Sequence, residues 1–126
     1  MNILIYGVIL LGIMEELELL GADIADIEER YLGDTELYIG VLSKFIVSLE
    51  RFEVMPHFES GDIDGALYCA HSLKGVTGNL SLTPLYKGYS EITSLLRAGE
   101  IEKARGQLEE LLPLQEKFVE CVRKYV

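Results

Sequence analysis

The chain has 126 residues, 49% hydrophobic and 25% charged, which is enough for one domain with a single core. With 21 acidic against 11 basic residues the formal net charge is −10. Phosphate backbones demand a basic surface, so this charge argues against nucleic acid as a partner and equally against an anionic membrane surface. Cys69 and Cys121 occur without a secretory signal and are expected to be buried or free thiols in a reducing cytoplasm, not a structural disulfide.

In chain order, Met1 to Ile13 is almost uniformly apolar but has no basic n-region and no small-residue cleavage site. It falls short of the roughly 20 apolar residues that cross a bilayer. Residues 1–13 therefore read as an N-terminal extension ahead of a domain over 14–126. The extension packs on the bundle or on another copy, or is dispensable ahead of a start at Met14, with a membrane-proximal tail as the minority alternative.

A short helix is predicted from about Asp23 to Leu32, closed by Gly33. Asp34 or Thr35 caps a second, long helix whose Leu37, Val41, Leu42, Phe45, Ile46, Leu49 and Phe52 recur at helical spacing until Pro56 ends or kinks it. Ser60-Gly61-Asp62 forms the turn into a third helix over about 62–81. Thr83 as a cap with Pro84 in the first turn opens a fourth helix, closed by Gly99. Glu100 starts a fifth, interrupted or bent near Pro113. Gly61-Asp62-Ile63-Asp64 and Gly99-Glu100-Ile101-Glu102 are the same junction used twice, acidic residues being favoured at helix N-termini. The acidic pairs Glu15-Glu16 and Glu28-Glu29 read as solvated faces. The class is all-α, and short connections imply an up-down-up-down antiparallel four-helix bundle with an additional short N-terminal helix.

Within the third helix, the stretch His71-Ser72-Leu73-Lys74-Gly75-Val76-Thr77-Gly78-Asn79 places two glycines where a helix least tolerates them. Each costs about 1 kcal/mol relative to alanine. At about 100° per residue, Ile63, Ala66, Leu67, Ala70, Leu73, Thr77 and Leu80 share the core face, and His71, Lys74, Gly75 and Gly78 cluster beside it at the solvent edge. Glycines there let a partner's backbone approach the imidazole, and Lys74 sets an ammonium beside anything attached to it. Ser72 points away from this cluster. His57, beside Pro56, has no such company and reads as structural.

These residues resemble the histidine phosphotransfer (HPt) domains of two-component phosphorelays, whose motif is His-x-Leu-Lys-Gly followed by small residues. His71, Leu73, Lys74, Gly75 and Gly78 match it position by position, and the resemblance extends over about residues 20 to 125. It implies that His71 accepts a phosphoryl group and that Lys74 supports it. Ser81 and Leu82 stand where the family often has Gly-Ala. Tyr68, Gly75, Gly78, Asn79 and Leu82 are expected at the partner-docking surface. Leu82→Asp is expected to weaken docking and leave the fold intact.

A neutral imidazole is a competent nucleophile near physiological pH, and phosphoryl transfer needs positioning and charge neutralisation more than covalent machinery. The resemblance implies a monomeric cytoplasmic phosphocarrier that binds no cofactor, the Mg²⁺ belonging to the partner. Its expected partners are response-regulator receiver domains and a sensor or hybrid histidine kinase. The sequence has no Walker A or kinase-type glycine loop, so no autonomous kinase activity is expected. Two alternatives are a module phosphorylated by a separate chemotaxis-type kinase and a non-catalytic receiver-binding adaptor.

Overall fold

The computed structural model describes residues 12–126, and the readings made for the apolar extension lie outside the described residues except at Gly12 and Ile13. All regular structure among the described residues is helical, with no strand. No helix among them is long and apolar enough to cross a membrane.

A helix that the sequence reading missed covers residues 12–19 (α1). Its Ile13 and Leu17, one turn apart, are fully buried. Glu16, expected on a solvated face, is half-buried and bonded: its carboxylate accepts from Lys124 Nζ at 2.7 Å and Tyr125 Oη at 2.8 Å, tying α1 to the end of the chain. Those two donors, the lysine first, hold its carboxyl below the ordinary range. Glu15, Glu28 and Glu29 are exposed, as expected.

The next helix, α2 (Ile24–Arg30), starts at the expected Asp23, whose side chain accepts from the Asp26 N–H at 3.0 Å. It ends through Leu32 and Gly33, both at positive φ. The predicted long second helix is divided into α3 (Thr35–Leu42) and α4 (Phe45–Arg51). The cause is local. Ser43 Oγ takes the carbonyl of Gly40 at 2.7 Å, and the Lys44 N–H bonds to Val41 O at 3.1 Å, one residue short of the α-helical partner. The buried face survives the break, because Tyr38, Leu42, Phe45 and Leu49 keep helical spacing across it. Leu37, counted on the apolar face, is exposed.

Pro56 does not end α4. It lies in the first turn of a separate short helix, α5 (Met55–Ser60), where its missing N–H costs no hydrogen bond. Gly61 (φ 75°) closes α5, and Asp62 caps α6 (Ile63–Asn79) by accepting from the Gly65 N–H at 3.0 Å. α7 spans Thr83–Arg97 and α8 spans Ile101–Tyr125. Thr83 is not the cap of α7 but its first residue, and the cap position is Leu82, with no side-chain cap bond. Gly99 (φ 77°) repeats the Gly61 solution: in each case the glycine and the residue after it donate to the preceding turn, Gly61 and Asp62 to Phe58 and His57, Gly99 and Glu100 to Leu96 and Leu95. α8 runs through Pro113 without interruption. The carbonyl deprived by that proline is Glu109's, and both residues lie on the exposed face of α8.

The most extensive packing is between α6 and α7 and between α7 and α8, and α4 and α5 pack on α6. Ala66, Ala70, Leu73, Thr77 and Leu80 of the predicted core face are buried, and Ile63 and Leu67 are half-buried at its margin. Gly88 sets the spacing of α7 and α8, because a Cβ there would run into the Leu111 side chain. Cys69 and Cys121 are free and buried, and burial pushes the Cys121 thiol up to about 11.

Candidate functional site

α6 sets its own phase. With Ala70 and Leu73 fully in the core, His71 is exposed on the adjoining face and Lys74 is half-buried one turn later. The two side chains line a groove of about 460 Å³ together with Gly75, Gly78 and Asn79. Thus the structure brings five of the sequence-derived residues to one cleft. The His71 ring makes no hydrogen bond or ion pair among the described residues, whereas the His57 ring meets Asp62 Oδ2 at 3.0 Å. Ser72 returns its hydroxyl to the Tyr68 carbonyl at 2.8 Å and is spent within the helix.

The two glycines of the motif separate. A Cβ on Gly75 would meet none of the described residues, so their packing has no need of glycine there. Gly78 is covered from within the molecule: a Cβ would press on the Tyr86 ring of α7. Its smallness serves packing between α6 and α7, where access to the imidazole had been expected.

Leu82 requires correction. It is fully buried, and the expectation of an exposed apolar contact there is overturned. α6 ends in a Schellman turn: the Ser81 N–H bonds to Gly78 O at 3.1 Å and the Leu82 N–H to Thr77 O at 3.0 Å, with Ser81 at φ 55°. In that turn the residue after the left-handed position folds its side chain back onto the helix, which carries Leu82 into the core. Tyr68 is 65% exposed, packs edge-on against Phe52 at 6.0 Å between centroids, and stands outside the groove.

Serine at a left-handed position is strained unless held, and this one is held from α2. Its hydroxyl donates to Asp26 and its carbonyl accepts from the Asp23 N–H at 3.0 Å. The two preceding carbonyls, freed by the helix end, take tyrosine hydroxyls: Tyr31 on Asn79 O at 2.9 Å and Tyr38 on Leu80 O at 2.8 Å. These tyrosines meet edge to face with centroids 5.1 Å apart. α2 and α3 therefore fasten the end of the histidine helix.

That fastening adds groove residues the motif did not contain. Asp26, Arg30, Ser81 and Tyr86 also line it. Arg30 Nε donates to Asp26 Oδ2 at 2.6 Å, and the hydroxyl of Ser81, then Arg30, hold the Asp26 carboxyl below the usual carboxylate range. The i, i+4 spacing of Asp26 and Arg30 was legible as a helix pair, but nothing local in sequence ties it to a histidine 41 residues beyond Arg30.

The cleft thus offers an imidazole without a partner among the described residues, two cations and one carboxylate bonded through Oδ2 to both Ser81 and Arg30, a set suited to an anion attached at the ring. Among the described residues no group of three or more side chains is arranged to hold a metal. Compared with protein-family models, with curated proteins and with solved structures, the chain matches none.

Proposed function

We propose that the chain is a phosphorelay intermediate, in which His71 accepts a phosphoryl group from the aspartyl phosphate of a receiver domain and passes it to another receiver aspartate. The observation that carries this reading is Gly75: beside an exposed His71 that has no partner among the described residues, the helix bears a glycine that their packing does not require. A glycine that costs the helix about 1 kcal/mol and faces open space is accounted for by a partner surface approaching there.

A ring-nitrogen lone pair attacks phosphorus in line, the bond to the aspartate oxygen breaks, and the carboxylate leaves with the bond pair. The proton on the other ring nitrogen passes to water, and the reverse sequence delivers the group onward. Lys74 lies beside the bound phosphoryl group and balances its charge. Mg²⁺ and the aspartate belong to the receiver, and Gly75 and Asn79 border the surface it covers, with Tyr68 beyond the groove. On this reading the α3–α4 rod, α6, α7 and α8 form an up-down-up-down four-helix bundle, α1 and α2 are additional, and the chain works as a cytoplasmic monomer without kinase activity of its own.

The test is to mix the protein and its His71→Gln variant with a phosphorylated receiver and Mg²⁺. An acid-labile, base-stable phosphoryl group on the wild type alone is the expected outcome. Equal label on both proteins, or none across several receivers, overturns the reading.

A further inference from the structure

We propose that the His71 groove is a two-sided anion site, in which Arg30, reaching in from α2, binds the phosphoryl group on His71 opposite Lys74. The assignment rests on the phosphocarrier reading of His71 and extends it to a residue outside the motif. In a chain of net charge −10, two cations line the same 460 Å³ groove as an exposed histidine. The one carboxylate sharing that wall does not cancel them: Asp26 takes both the Ser81 hydroxyl and Arg30 Nε on a single oxygen, Oδ2, and its one negative charge stands against two positive ones in the lining.

A guanidinium has five N–H donors, and this one spends a single one on Asp26. Its two terminal amino groups have no hydrogen-bonding partner among the described residues, and they form the planar fork that matches phosphate oxygens. The Asp26 contact fixes the stem of the side chain, and Ser81 fixes Asp26, so the fork is held in place before any anion arrives. Asp26 and Ser81 are positioning residues in this scheme, and Ser81 at a site where glycine would be easier is explained by the hydroxyl that glycine lacks.

The experiment loads the site without any protein partner. Phosphoramidate phosphorylates the ring directly: the imidazole lone pair forms the N–P bond, the phosphoramidate P–N bond breaks, and ammonia leaves. The His71 signal is the ³¹P resonance absent from His71→Gln, and its pH titration reports the second ionisation of the phosphoryl group. A nearby cation favours the dianion, so Arg30→Gln is expected to raise that midpoint by about half a unit, Lys74→Gln to do likewise, and Arg30→Lys to restore most of the difference. Restoration by lysine separates a charge effect from a structural one.

A midpoint in Arg30→Gln equal to that of the wild type overturns the assignment, and with receiver transfer intact it leaves the phosphorelay reading standing. A raised midpoint without transfer from any receiver keeps the anion site and overturns the relay. A wild type that gains no His71-linked signal overturns both.

Discussion

α6 meets a histidine near each of two regions, and they are solved in opposite ways. At its N-terminal end, His57, Asp62 and Gly65 interlock: one Asp62 oxygen caps the helix through the Gly65 N–H, the other meets His57 Nδ1, and a Cβ on Gly65 would collide with both partners. At its midpoint, His71 has no partner among the described residues, and one turn on a Cβ at Gly75 would meet none of them. In the first region polar groups and glycine are satisfied by the fold. In the second they are left for something outside it. Motif glycines therefore carry functional weight only after their surroundings are known, and Gly78, packed under Tyr86, belongs with Gly65 more than with Gly75.

The largest effect is expected where the two demands meet, at the turn that ends α6. Leu82→Asp places a carboxylate in a fully buried position and should destabilise the protein by about 4 kcal/mol or more, read by denaturant unfolding. A folded variant with weakened receiver binding would return Leu82 to the docking surface. Gly65→Ala should cost about 1 to 3 kcal/mol, because the cap and His57 must be displaced. Gly75→Ala is the counterpart. It should stabilise α6 by up to about 1 kcal/mol while slowing transfer from a phosphorylated receiver, and unchanged transfer would erase the contrast between the glycines.

The smallest effect is in acid. The Gly65 N–H, then His57, hold the Asp62 carboxyl below its ordinary value. A carboxyl with a lowered folded pKa binds fewer protons folded than unfolded, so its contribution is complete above the unfolded value near 4 and fades as pH falls through the folded one. Asp62→Asn keeps a capping oxygen and removes this titration. Thermal midpoints of the variant should decline less than those of the wild type between neutral pH and the acid limit, by a small margin because Asp62 is exposed.

Residues 12–19 mark one limit of reading by periodicity. The apolar run before them hid a helix whose evidence is tertiary, namely Ile13 and Leu17 in the core and Glu16 bound to Lys124 and Tyr125 at the opposite end of the chain. The division of the second helix marks another, since a single serine hydroxyl competing for a carbonyl leaves the hydrophobic spacing untouched. Leu82 was misplaced because its Schellman turn lacks the glycine that announces one, Ser81 standing in the left-handed position by virtue of Asp26.

Local rules, by contrast, were enough for the helical class, for helix starts near Asp23, Asp34 and Asp62, for the closures at Gly33 and Gly99 and the turn at Gly61, and for the phase of α6 that exposes His71 beside Lys74. All of these depend on residues within a turn or two of one another, where backbone geometry and side-chain period are the whole of the physics. What only the tertiary structure decided is which distant groups share the cleft. Asp26 and Arg30 reach it because Tyr31, Tyr38 and Asp23 satisfy three successive carbonyls at the end of α6, and carbonyls freed by a helix end accept whichever donors the packing of separate helices supplies.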